Sequence, residues 1–154
     1  MRHAKSSWSE GRLSDHERPL NARGVRAAKA VGGILRAKKL TPQTIWSSDS
    51  ARTRETVTGL GLENVNTEYL KGFYHAPANK VLYLCAERGE PENGPLMLVG
   101  HNPGWEDLFY HFTGMSRRMP TGACALFART REKADWLAPE SWRLLDYVLP
   151  RELE

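Results

Sequence analysis

Cysteine is scarce in this chain. Cys85 and Cys124 are the two present and they form no CxxC pair, which excludes a disulfide framework or a zinc ribbon and suits a reducing cytoplasm. Long apolar runs are lacking too. No stretch approaches the roughly 20 residues of a membrane span, and no basic region followed by an apolar one opens the sequence as a signal peptide would, so the protein is expected to be cytoplasmic with no membrane contact. A basic arm is also missing. The net charge of +4 is spread along the chain and the aromatics are not interleaved with basic residues, which argues against nucleic acid as a partner. There are no repeats and no low-complexity linker. What remains is ordinary globular composition, 40% hydrophobic and 26% charged over 154 residues, a length that suits a single domain over residues 1–154.

Apolar periodicity supplies the elements. Ala27, Ala28, Val31, Ile34 and Leu35 recur at helical spacing after Asn21, a capping residue, and the pattern ends in lysines, predicting a helix over 21–38. Residues 44–48 form a short apolar run that feeds a helix opening at Ala51. A weaker strand over 65–70 precedes a loop and a helix opened by Pro77 that carries Val81, Leu82, Leu84 and Cys85. The charged run "ERGEPENG" interrupts the pattern. "PLMLV" then reads as a strand buried on both faces, and "GHNPG" ends it before a helix carrying Trp105, Leu108, Phe109 and Phe112. "ACALFA" and "WRLLDYVL" read as two further strands. Alternation of this kind predicts an α/β fold, a three-layer α/β/α sandwich on a mostly parallel sheet, with ligands beyond the carboxyl ends of the strands. The tryptophans at 8, 46, 105, 136 and 142 are assigned to packing, with Trp8 and Trp105 also placed to line a pocket mouth.

Three turns matter under that topology: Arg2-His3, "SSDSARTRET" and "VGHNPG". If their strands are neighbours, Arg2, His3, Arg52 and His101 converge into a cluster of cations with no obvious carboxylate to neutralise it. Such a cluster suits a phosphate, because guanidinium forks make bidentate charge-assisted bonds to its oxygens and helix N-termini add N–H donors. A neutral His3 could attack phosphorus if its other ring nitrogen donates to the backbone and fixes the tautomer. Blander readings stand beside these. His3 could be a solvated terminal histidine, Arg52 could pair with Glu55 or Glu63, and His101 could be a core histidine. A metal site built from His101, Glu106, Asp107 and His111 is set aside, since no HExxH-like spacing exists and these side chains fall on different helix faces.

"RHAKSSW", "DHERPLNARG", "SSDSARTRET" and "VGHNPGWEDL", in that order and across nearly the whole chain, resemble the histidine phosphatase superfamily, branch 1. Within it they are similar to the small phosphohistidine phosphatases of the SixA type. The resemblance implies a phosphoglycerate mutase-like fold and a phosphatase that needs no metal or other cofactor, working through a covalent phosphohistidine. It implies His3 as nucleophile, Arg2 and Arg52 as binders of the phosphoryl oxygens, His101 completing the pocket, and Arg18 as an additional pocket arginine unless it is a solvated loop residue. Members acting on alkyl phosphates carry a mid-chain acid as proton donor, and Glu68 in "NTEYLKGFYHA" is the candidate here. A phosphoramidate tolerates a weak acid and the short chain leaves little length to cover the site. The substrate expected is therefore phosphohistidine on a partner protein, acted on by a monomer. A small phosphoester or a non-catalytic phosphate-binding module are the alternatives. Two departures accompany the resemblance: Ala4 follows His3 where the family reads Arg-His-Gly, and Met1 alone precedes Arg2 where the family has its central strand. Either the true start lies upstream or this form lacks a core strand, whose loss would expose neighbouring backbone groups and destabilise the sheet.

Overall fold

The computed structural model describes residues 1–130 and 135–152. Helix α1 (Ala22–Ala37) begins where Asn21 accepts a hydrogen bond from the Gly24 N–H at 2.8 Å, satisfying a donor left free in the first turn. Strand β1 (Thr44–Ser48) runs into α2 (Ala51–Gly59), whose cap Ser50 accepts from Thr53 N–H. Strand β2 (Asn66–Leu70), a tight turn at Lys71–Phe73 and helix α3 (Ala78–Arg88) follow. Next come β3 (Leu96–Val99), α4 (Gly104–Thr113) and the strands β4 (Cys124–Arg129) and β5 (Trp142–Val148).

Strands β2, β1 and β3 pair in that order, all parallel, with Trp46 opposite both Glu68 and Leu98. Strands β4 and β5 form an antiparallel pair. Successive residues of a strand face opposite sides, and the core divides accordingly. Ile45, Met97 and Val99 pack with Val31 and Leu35 of α1, whereas Trp46 packs with Val81 and Cys85 of α3 and with Leu108 and Phe109 of α4. Three layers result. The run "PLMLV" is apolar throughout because helices cover both faces of β3.

The segment before Ala4 pairs with its neighbours over a short length. Residues 1–3 lie between β3 and the approach to β4: the Met1 ammonium donates to Leu98 O at 2.7 Å, Gly100 N–H to Met1 O at 3.2 Å and His3 N–H to Gly100 O at 3.1 Å. On the other side Arg2 N–H donates to Ala123 O at 3.0 Å and Gly122 N–H to His3 O at 2.8 Å. Three residues thus supply main-chain pairing for the end of the sheet that faces the site. Between the remaining lengths of β3 and β4 runs an apolar groove of about 570 Å³, bordered by Leu96, Leu98, Leu126 and Phe127.

Trp46 and Trp105 are buried, but Trp8 is 78% exposed and its ring lies 3.6 Å from the guanidinium carbon of Arg18, so it is a surface residue rather than part of the core. Among the described residues no helix is long and apolar enough to cross a membrane.

Candidate active site

The carboxyl ends of β1 and β3 and the segment 1–4 meet at one edge of the sheet. His3 is held there by pairing on both flanks, and its Nδ1–H donates to the Ala4 carbonyl at 2.7 Å. The tautomer follows from that bond: Nδ1 carries the proton and Nε2 keeps its lone pair. Arg52 enters from the first turn of α2, 2% exposed, and each of its nitrogens has a use. Its Nε–H points at His3 Nε2 at 3.4 Å, Nη1 donates to Asp15 O at 2.7 Å, and Nη2 donates to Asp15 Oδ2 at 3.0 Å. Nη2 also lies 3.4 Å from His101 Nδ1. His101 follows β3 at Gly100, where a Cβ would fall 2.2 Å from the Trp105 ring, so only glycine lets the indole lie against the backbone there. With Nδ1 facing Arg52, the His101 Nε2–H donates to Ser48 Oγ at 2.8 Å. The His3 and His101 rings are 5.2 Å apart.

Burial sets the charge of these rings. Desolvation, then the positive fields of Arg52, Arg2 and Arg18, depress His3 to a pKa of about 3, with the Ala4 hydrogen bond opposing the fall. Burial and the neighbouring His3, Arg52 and His75 depress His101 to about 2. Both imidazoles are therefore neutral at physiological pH. Asp15 behaves oppositely: partial desolvation would raise its carboxyl, but hydrogen bonds from Tyr74, His75, Arg18 and Arg52 outweigh that and hold it well below the usual carboxylate range. Burial also lowers Arg2, whose guanidinium is attracted by Glu106 and repelled by Arg52. Its Nη1 donates to Met119 O at 3.0 Å, while Nε is buried with no partner among the described residues, as is Nε of Arg18. Arg18 binds Ser6 Oγ through Nη1 and Asp15 Oδ1 through Nη2 at 3.1 Å.

The structure thus brings together Arg2, His3, Arg18, Arg52 and His101. It leaves Glu68 outside. Glu68 lies within β2, against Trp46 rather than at the carboxyl end, and its carboxylate is paired with Arg88 of α3. Asp15 corrects the expectation of a cluster without a carboxylate, and it was within reach of the sequence, three residues before Arg18 in "DHERPL". Tyr74 and His75 were missed as well. Tyr74 Oη–H donates to Asp15 Oδ2, and His75 Nε2 lies 2.8 Å from the same oxygen. No motif or periodicity marks them, because a loop of ordinary composition carries them to the site.

Comparison with known proteins bears on the family and the fold. Residues 1–74 match the model of the histidine phosphatase superfamily, branch 1. A chloroplast protein of Arabidopsis thaliana without assigned activity is 33% identical over 165 residues, covering 97% of this chain and 76% of that protein. A Mycobacterium tuberculosis protein, also without assigned activity, is 35% identical over 162 residues, covering 98% of this chain and 100% of its own. Among solved structures, a protein of Agrobacterium tumefaciens assigned as the phosphohistidine phosphatase SixA superposes with a TM-score of 0.82 at 27% identity, covering 97% of this chain and 95% of that one. The protein histidine phosphatase SixA in complex with tungstate shares the fold, with a TM-score of 0.73 at 20% identity and coverage of 100% and 97%. The chain belongs to the histidine phosphatase superfamily, branch 1, with a SixA-like, phosphoglycerate mutase-like α/β fold. It is a phosphatase.

Proposed function

We propose that this phosphatase removes phosphoryl groups from phosphohistidine carried on a partner protein, passing them through a covalent phosphohistidine on His3. The observation that carries the reading is the tautomer of His3: Nδ1–H is tied to Ala4 O, so a neutral ring presents the Nε2 lone pair toward the Arg52 guanidinium. Arg2, Arg18 and Arg52 place three positive charges around that nitrogen, against the Asp15 carboxylate in contact with two of them and Glu106, which attracts Arg2. The surplus favours a phosphoryl dianion, and stabilising its spread charge is most of what phosphoryl transfer requires. His101, neutral and anchored on Ser48, closes the floor and steadies Arg52.

In the first half-reaction His3 Nε2 bonds to phosphorus as the bond to the departing nitrogen breaks. In the second, water attacks phosphorus, the electron pair returns to Nε2, and phosphate leaves. Side chains at the mouth remain open to solvent, including those of Trp8, Asp15 and His75, which suits access by a bulky phosphorylated protein. A monomeric, cytoplasmic enzyme without a cofactor is the form we assign.

The test is relative turnover. A phosphohistidyl protein and a set of sugar phosphates are compared by kcat/KM, and the reading expects the phosphohistidyl protein to be the better substrate. Faster turnover of the sugar phosphates would move the assignment to small phosphoesters, a reading that the proton-bearing groups around Asp15 also favour.

A further inference from the structure

His75 lies outside every motif that points to the site, yet the fold delivers it there. It follows the turn at Lys71–Phe73 with a φ of 49°, a left-handed conformation uncommon for residues other than glycine and often found at functional sites. The chain beside it is pinned, since a Cβ on Gly104 would fall 2.1 Å from the Ala76 carbonyl, so α4 meets this loop at main-chain distance. The groups facing the His75 ring are Asp15 from the loop 8–19, Arg52 from α2, His101 after β3, and Tyr74 beside it in the chain. Nε2 is 2.8 Å from Asp15 Oδ2 and 3.3 Å from Arg52 Nη2. One ring nitrogen cannot both donate to the first and accept from the second. The shorter, charge-assisted contact places the proton on Nε2, directed at Asp15, and leaves Nδ1 to exchange a second proton. The side chain is 50% exposed, its ring 4.8 Å from that of His101.

We propose that His75, oriented by Asp15, is the proton shuttle of this site, a role the sequence had offered to Glu68. The proposal rests on the reading of His3 as nucleophile. As the His3 Nε2–phosphorus bond forms, the bond from phosphorus to the leaving atom breaks and its electron pair stays on that atom, which takes the Nδ1 proton of a doubly protonated His75. His75 is then neutral, still donating from Nε2 to Asp15. When water attacks the phosphohistidine, the pair of the breaking phosphorus–nitrogen bond returns to His3 and a water proton goes to His75 Nδ1, restoring it. The sum is one hydrolysis. Asp15 acts as a positioning residue, because its contact fixes the ring rather than touching the substrate.

A leaving-group series tests this. Rates of His3 phosphorylation are measured by rapid quench for the wild type, His75→Asn and Asp15→Asn, using phosphoserine, whose alkoxide needs a proton, and p-nitrophenyl phosphate, whose phenolate does not. His75→Asn should slow the alkyl phosphate by about 10²–10⁴-fold, the range for losing a general acid. The aryl phosphate should lose at least tenfold less, and Asp15→Asn should show the same selectivity at smaller size. Equal losses on both substrates, or no loss on either, with His3 still labelled in the wild type, overturn the proposal alone. Absence of label on wild-type His3 from any donor removes the nucleophile reading and the shuttle with it. Thermal melting of each variant verifies that it remains folded.

Discussion

The floor of the site and its rim share Arg52 but little else. His3, Arg52 and His101 are 7%, 2% and 1% exposed, and each is placed by the chain next to a paired strand or by the first turn of a helix. Burial keeps both floor imidazoles neutral. On the rim, Asp15 and His75 have side chains 41% and 50% exposed and come from loops, and hydrogen bonds rather than burial hold Asp15 ionised. Under the proposed mechanism this contrast is a division of labour: a neutral nucleophile needs a rigid, desolvated seat, whereas groups that exchange protons with water need to stay in contact with it.

The sharpest way to isolate the floor is His3→Ala. It should reduce kcat by on the order of 10⁴-fold or more, as loss of a nucleophile does, while calorimetry still detects binding of phosphate or tungstate. Arg52→Ala joins floor to rim in one loss, and an expected fall of about 10²–10³-fold in kcat matches removal of one preorganised donor to developing charge. Arg52→Lys should rescue little of it, because an ammonium lacks the fork that reaches His3, Asp15 and His101 together.

Acid should attack the floor before the rest of the molecule. Histidine in the unfolded chain takes up a proton near its ordinary pKa of 6.5, but folded His3 does so only near about 3 and folded His101 near about 2. Between those limits the unfolded state binds more protons, so stability rises with pH there and is lost as pH falls below 6.5. Denaturant titrations at pH 7 and pH 4.5 should differ by several kcal/mol, and most of the difference should vanish in a His3→Gln, His101→Gln double variant.

Gly104→Ala strikes the support of the rim. A methyl group 2.1 Å from the Ala76 carbonyl must push α4 and the His75 loop apart, at a cost of about 1–3 kcal/mol in unfolding free energy. Alkyl phosphate turnover should suffer more than aryl. The smallest effect belongs to Glu68→Gln: its carboxylate is 44% exposed and bound to Arg88, away from the cluster, so kcat/KM should stay within about twofold and stability within about 1 kcal/mol.

The same contrast explains what the sequence disclosed. Helix α1 was legible because its apolar residues keep helical spacing and Asn21 caps it, and β3 because helices on both faces demand an unbroken apolar run. The floor was legible for a related reason: Arg2-His3, "SSDSARTRET" and "VGHNPG" sit at strand ends, and α/β topology converts strand ends into neighbours. The rim was not. His75 reaches Asp15 through a positive φ and a main-chain contact at Gly104, neither of which leaves a periodic signal. Glu68 was chosen by residue type within a strand, and register decides its place: opposite Trp46, two residues short of the strand end, it meets Arg88 instead of the cluster. The pairing of residues 1–3 was hidden too, because so short a segment carries no pattern of its own.

The central claim is that His3 accepts the phosphoryl group, and the direct measurement is to trap it. The protein is mixed with a phosphorus-labelled phosphoramidate, quenched within milliseconds to seconds, and the bound label is tested for stability and mapped to a residue. The expected result is label that is acid-labile, alkali-stable, located on His3 and absent from His3→Ala. Release of phosphate with no labelled intermediate at any quench time, or turnover that survives in His3→Ala, would contradict it.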